Sequence, residues 1–137
     1  MLRMIDEDKQ YKMKQTEELR RKILVVDDDE MNFRVIGNIC KEEPLYQIYG
    51  AESGKEAVEF LKSQKVDLIL LDIEMPGMNG FETFEQIRQI TDVPVAFITA
   101  TRDYDMIEKA RKLGVEDYIT KPYLAAVFLE TIHGIMN

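Results

Sequence analysis

The sequence predicts an open, doubly wound α/β sheet of five parallel strands. Short apolar runs alternate with amphipathic stretches from Lys22 onward, five such pairs follow one another, and carboxylates gather where the apolar runs end. With 137 residues, 45% of them hydrophobic and 32% charged, the chain has the composition of one globular domain with a proper core. Residues 1–21 differ, with charges scattered among apolar residues that keep no helical period, and read as a charged N-terminal extension or linker helix. Residues 22–137 form the folded domain.

The strands are expected at Ile23–Val26, Tyr46–Tyr49, Asp67–Leu71, Val95–Thr99 and Asp117–Ile119. Helix starts are legible between them. Asp29 precedes Met31, Val35 and Ile39 at fourfold spacing, Ser53 and Glu56 make a capping box, and Asn79 with Glu82 makes another. Asp103 opens a fourth helix with Met106, Ala110 and Leu113 on its inner side, and Gly114 is placed to stop it. A fifth helix runs from about Leu124 to Ile135. Strand twist enforces right-handed crossovers, and ligands of such sheets sit beyond the carboxyl ends of the strands.

Composition narrows the function classes. The net charge of −8 repels a phosphate backbone, so no direct nucleic-acid partner is expected. The single cysteine, Cys40, cannot form an internal disulfide and is read as core beside Ile36. The longest apolar runs, Val93–Ile98 and Leu124–Leu129, fall far short of the roughly 20 residues of a membrane span. Asp6 to Lys9 interrupt any signal-peptide core, so a soluble cytoplasmic protein without a membrane partner is expected.

The strand ends carry the chemistry. The first strand ends in Asp27, Asp28 and Asp29, the third in Asp72 and the fourth in Thr99, while Lys121 and Pro122 follow the fifth. At an effective dielectric of about 20, two carboxylates about 4 Å apart repel by roughly 4 kcal/mol, so a cation is needed among them. Oxygen-only ligands favour Mg²⁺ over zinc. Such an ion and the Lys121 ammonium would offset Asp27, Asp28 and Asp72 and leave a place for a phosphoryl group, with a carboxylate able to act as acceptor.

The segments Ile23–Asp29, Leu68–Gly80, Ile98–Ala100 and Asp117–Tyr123 resemble the receiver domain of bacterial two-component response regulators, and the likeness runs in register from about Lys22 to Asn137. The resemblance implies the flavodoxin-like strand order 2-1-3-4-5. It implies Asp72 as phosphoacceptor, charged by a sensor histidine kinase or a histidine phosphotransfer protein. It places Mg²⁺ on Asp28, Asp72 and the backbone carbonyl of Glu74, with Asp27 acting through a water. It further assigns Lys121 and Thr99 to the phosphoryl oxygens, Thr99 and Tyr118 to a switch, and a cis peptide to Lys121–Pro122 that aims the ammonium inward. On this reading the protein is a signalling switch without independent substrate turnover. Glu74 and Thr101 stand where the family sets the lifetime of the phosphoryl group, and Glu74 is expected to pair with Lys121 before a metal binds.

Other readings remain open at this point. A Mg²⁺-dependent phosphatase of the haloacid dehalogenase type would want an Asp where Glu74 stands. A nucleotide or flavin binder would want glycines, not acids, after the first strand. A pseudo-receiver, acting without phosphorylation, would usually lack one of the five site residues. His133, in the last helix, is read as lying away from the acids. That helix has more apolar residues than one core stripe can use, so an outward docking face is expected, shared with the fourth helix and fifth strand and serving a partner or a homodimer. A stand-alone relay protein and a segment of a longer chain both fit.

Overall fold

In a computed structural model of the chain, residues 19–115 and 117–137 are described, so most of the expected N-terminal extension lies outside the described residues. Among the described residues ten elements alternate: β1 (Arg21–Val26), α1 (Glu30–Cys40), β2 (Tyr46–Ala51), α2 (Gly54–Ser63), β3 (Leu68–Asp72), α3 (Gly80–Arg88), β4 (Val95–Thr99), α4 (Tyr104–Lys112), β5 (Asp117–Thr120) and α5 (Ala125–Met136). The strands form one parallel sheet in the order β2-β1-β3-β4-β5. Doubly wound topology follows as expected.

The central strands β1, β3 and β4 read as continuous apolar runs because both their faces are covered. Side chains alternate between two cores. Leu24, Val26, Ile69, Leu71 and Phe97 pack against α2, α3 and α4, whereas Ile23, Val25, Leu70, Ala96 and Ile98 pack against Ile36 of α1 and Phe128 and Ile132 of α5. Phe97 anchors the first core, edge-on to Phe81 with ring centroids 5.4 Å apart.

The predicted caps form, with one change of partner. Asp29 accepts from Met31 N (2.9 Å), and Asn79 and Glu82 make the full reciprocal box. Ser53 accepts from Glu56 N (3.1 Å), but the returning Glu56 carboxylate takes Glu52 N (3.3 Å), one residue before the cap. Helix α4 stops at Gly114, whose φ of +88° suits glycine.

Helix α1 corrects the pattern. Its core stripe is Asn32, Ile36 and Cys40, while Met31 and Val35 of the fourfold apolar series are 61% and 40% exposed. Two stripes compete on this helix, and the one carrying Ile36 and Cys40 faces the core.

Candidate functional site

Register brings the acids together. Val26 of β1 pairs with Leu71 of β3, so the next residues, Asp27 and Asp72, emerge side by side at the carboxyl edge. The ladder continues past the strands through Asp27 N to Ala51 O (3.0 Å) and Lys121 N to Thr99 O (2.9 Å), which fixes the backbones that carry Asp27 and Lys121. Helix α3 begins close beneath Asp72: a Cβ on Gly80 would lie 2.6 Å from Ile73 Cα and collide with the Asp72 carbonyl. Glycine is therefore needed there for the helix to seat against the strand end.

Asp27 and Asp72 are buried, at 4% and 5% exposure, and Asp28 is exposed. Oxygens of all three carboxylates lie within 4.8 Å of one another. Asp27 Oδ1 accepts from Asp29 N (2.9 Å), and its Oδ2 accepts from Asn32 Nδ2 and Lys121 Nζ, both at 2.7 Å. Lys121 Nζ also lies 3.5 Å from Asp72 Oδ2, and Asp72 Oδ1 accepts from Glu74 N (3.2 Å). The Lys121–Pro122 peptide is cis.

Burial, then the charge of Asp27, push the Asp72 carboxyl up to about 7, against the pull of Lys121. For Lys121, burial disfavours the ammonium, but the hydrogen bond to Asp27 and the charges of Asp72 and Asp27 outweigh it and hold its pKa above the usual lysine value. The pocket is thus overloaded with negative charge that a single ammonium does not relieve. Three carboxylates from two adjacent strand ends, with no His or Cys among them, are the donor set of a hard divalent cation, and Mg²⁺ fits it.

Thr99 is fully buried at the end of β4, its hydroxyl accepting from Thr101 N (3.2 Å). Tyr118 of β5 is half-buried and donates to Thr101 O (3.3 Å), so both side chains meet the same loop. Burial, with the nearby charges of Glu74, Asp103 and Asp72, raises the Tyr118 phenol.

The expected pairing of Glu74 with Lys121 is absent: Lys121 takes Asp27 and Asp72, and Glu74 is exposed beside a cavity of about 500 Å³ that Met75, Phe81 and Lys109 also line. Two buried carboxylates attract the ammonium more strongly than one solvated one. His133 is exposed on α5, near Tyr46 (3.3 Å).

Two residues at the pocket escaped the sequence reading. Asn32 is buried at 6% exposure and holds Asp27. The Tyr123 hydroxyl is buried without a hydrogen-bond partner among the described residues, and burial drives its ionisation far up. Asn32 was detectable, as the one polar residue in phase with Ile36 and Cys40.

A model of the response regulator receiver domain matches residues 23–133. The chain belongs to the response regulator receiver family. This receiver is 41% identical over 102 residues to the transcriptional regulatory protein YvrH of Bacillus subtilis, covering 74% of this chain and 43% of that protein. It is 32% identical over 106 residues to sporulation initiation phosphotransferase F of the same organism, covering 77% of this chain and 85% of that protein. Among solved structures it resembles the N-terminal domain of a response regulator/sensory box/GGDEF three-domain protein from Carboxydothermus hydrogenoformans, with a TM-score of 0.77, 33% identity, and coverage of 85% of this chain and 94% of that one. The receiver spans half or less of the length of several curated relatives, 43%, 29% and 50% in three cases. Family membership sets aside the haloacid dehalogenase reading and assigns the domain to regulation in two-component and phosphorelay proteins. No helix among the described residues is long and apolar enough to cross a membrane.

Proposed function

We propose that the receiver accepts a phosphoryl group on Asp72 from a phosphohistidine of a sensor histidine kinase or a histidine phosphotransfer protein. An Asp72 carboxylate oxygen attacks phosphorus while the P–N bond breaks, and the imidazole leaves with the electron pair. Asp28, Asp72 and the Glu74 carbonyl would hold Mg²⁺, with Asp27 acting through a water, and the bound ion would neutralise charge on the transferring oxygens. Lys121 and Thr99 take the phosphoryl oxygens, Lys121 by shifting from Asp27. The observation that carries this reading is the grouping of three carboxylates within 4.8 Å with Lys121 Nζ reaching both Asp27 and Asp72.

The output is a shift between two states. Thr99 moving toward the phosphoryl group disturbs the 99–101 loop to which Tyr118 is bonded, and Tyr118 lies in a groove of about 260 Å³ that Leu124 and Val127 also line. Leu124 and Val127 are 74% and 56% exposed, and the α4–β5–α5 surface they extend serves a partner or a second copy of the chain. Sedimentation with and without a phosphoryl mimic checks the second copy: a monomer in both conditions removes it.

The main test is incubation with Mg²⁺ and acetyl phosphate, read by intact mass. A base-labile phosphoryl adduct on the wild-type chain that Asp72→Asn lacks is expected. A wild-type chain that never gains it would be a phosphorylation-independent interaction module instead.

A further inference from the structure

The Asp27 carboxylate has an uneven set of partners. Its Oδ1 is tied to the backbone at Asp29 N (2.9 Å), while Oδ2 takes both the Lys121 ammonium and the Asn32 amide at 2.7 Å. On the reading above, Lys121 leaves Asp27 when a phosphoryl group arrives. Oδ2 then keeps a single protein donor among the described residues, Asn32 Nδ2.

Asn32 is well built for that duty. It sits in the first turn of α1, its own N–H bonded to Asp29 O (3.0 Å), and it shares the buried stripe of that helix with Ile36 and Cys40. Its amide therefore moves with the core, whereas the Lys121 chain is partly solvated, with 22% side-chain exposure. A neutral donor also fixes the plane of the carboxylate without cancelling the negative charge that a hard cation needs. We infer that Asn32 is a positioning residue, orienting Asp27 toward the metal both before and after Lys121 changes partner. This inference rests on the phosphoacceptor reading.

The test is direct Mg²⁺ binding by calorimetry on the full chain, comparing wild type, Asn32→Leu and Ile36→Val. Ile36→Val disturbs the same helix face without touching Asp27, and urea unfolding matches the two variants for lost stability. Asn32→Leu is expected to raise the half-saturating Mg²⁺ concentration about tenfold, and Ile36→Val to leave it within about twofold of wild type. Binding by Asn32→Leu within twofold of wild type, or equal weakening in Ile36→Val, overturns the inference. Should Asn32→Leu not fold, the Asn32 side-chain amide is followed by NMR in the wild-type chain. It should keep a slowly exchanging, hydrogen-bonded proton when Mg²⁺ and beryllium fluoride are bound, and loss of that protection overturns the inference too. A wild-type chain that takes up neither Mg²⁺ nor a phosphoryl group defeats the phosphoacceptor reading and this inference with it. A wild type active in both beside an unaffected Asn32→Leu defeats this inference alone.

Discussion

One residue separates the most stabilising part of the sheet from the most costly. Val26 and Leu71 are fully buried among apolar neighbours, while Asp27 and Asp72, one step further along the same strands, are almost as deeply buried as carboxylates. Burying a large apolar side chain stabilises by roughly 1.5–3 kcal/mol, whereas a carboxylate without a cation destabilises. The comparison teaches that the sheet interior serves as a rigid frame, whose stability maintains a charged edge that the Lys121 ammonium alone does not neutralise.

Three substitutions sharpen the contrast, beginning with the frame. Phe97→Ala removes the ring that Phe81 and Phe84 pack around and should destabilise by about 3–5 kcal/mol in urea unfolding, with or without Mg²⁺. A loss that Mg²⁺ restores would mean that frame and edge are not separable. Lys121→Met leaves the Asp27 and Asp72 carboxylates without their ammonium donor and should cost about 1–3 kcal/mol at pH 7.5. Unlike the core loss, this one should shrink when Mg²⁺ is added.

The smallest effect has the opposite sign. The Asp72 carboxyl titrates at about 7 in the fold, against an ordinary value of 3.8. Between those values the folded state binds more protons than the unfolded chain, so the contribution of this group to stability is present below pH 4 and is lost as pH rises toward 7. Without metal, Asp72→Asn should therefore stabilise the protein by on the order of 1 kcal/mol at pH 8 and leave it unchanged near pH 4. Equal effects at both pH values would show that charge crowding is not the cause.

Much of this was legible in the chain itself, for identifiable reasons. The five strands, the four capped helix starts and the gathering of acids at strand ends follow from apolar runs, caps and the direction of parallel strands, whereas the last helix starts at Leu124 without a side-chain cap. Strand limits were harder to see. Arg21 and Lys22 are charged yet pair with Tyr46 and Gln47, and Asp67 lies just outside β3 with its side chain accepting from Lys22 N (2.7 Å). Hydrogen-bond pairing is a property of two strands and leaves no mark in the hydrophobicity of one. The phase of α1 failed because Met31, Val35 and Ile39 mimic a core stripe, and with the phase went Asn32. The expected Glu74–Lys121 pair failed because it depended on which acids are buried, and the burial of Asp27 and Asp72 beside an exposed Glu74 is a property of the assembled sheet edge.

The central claim is that two strand ends hold their acids around one hard cation. Chemical unfolding at pH 7.5, with Mg²⁺ varied up to about 100 times its Kd, measures it most directly. The wild-type chain should gain about 2.7 kcal/mol at the highest concentration. Asp28→Asn combined with Asp72→Asn should gain almost none. A wild type indifferent to Mg²⁺, or a double variant stabilised as much as the wild type, would contradict the account.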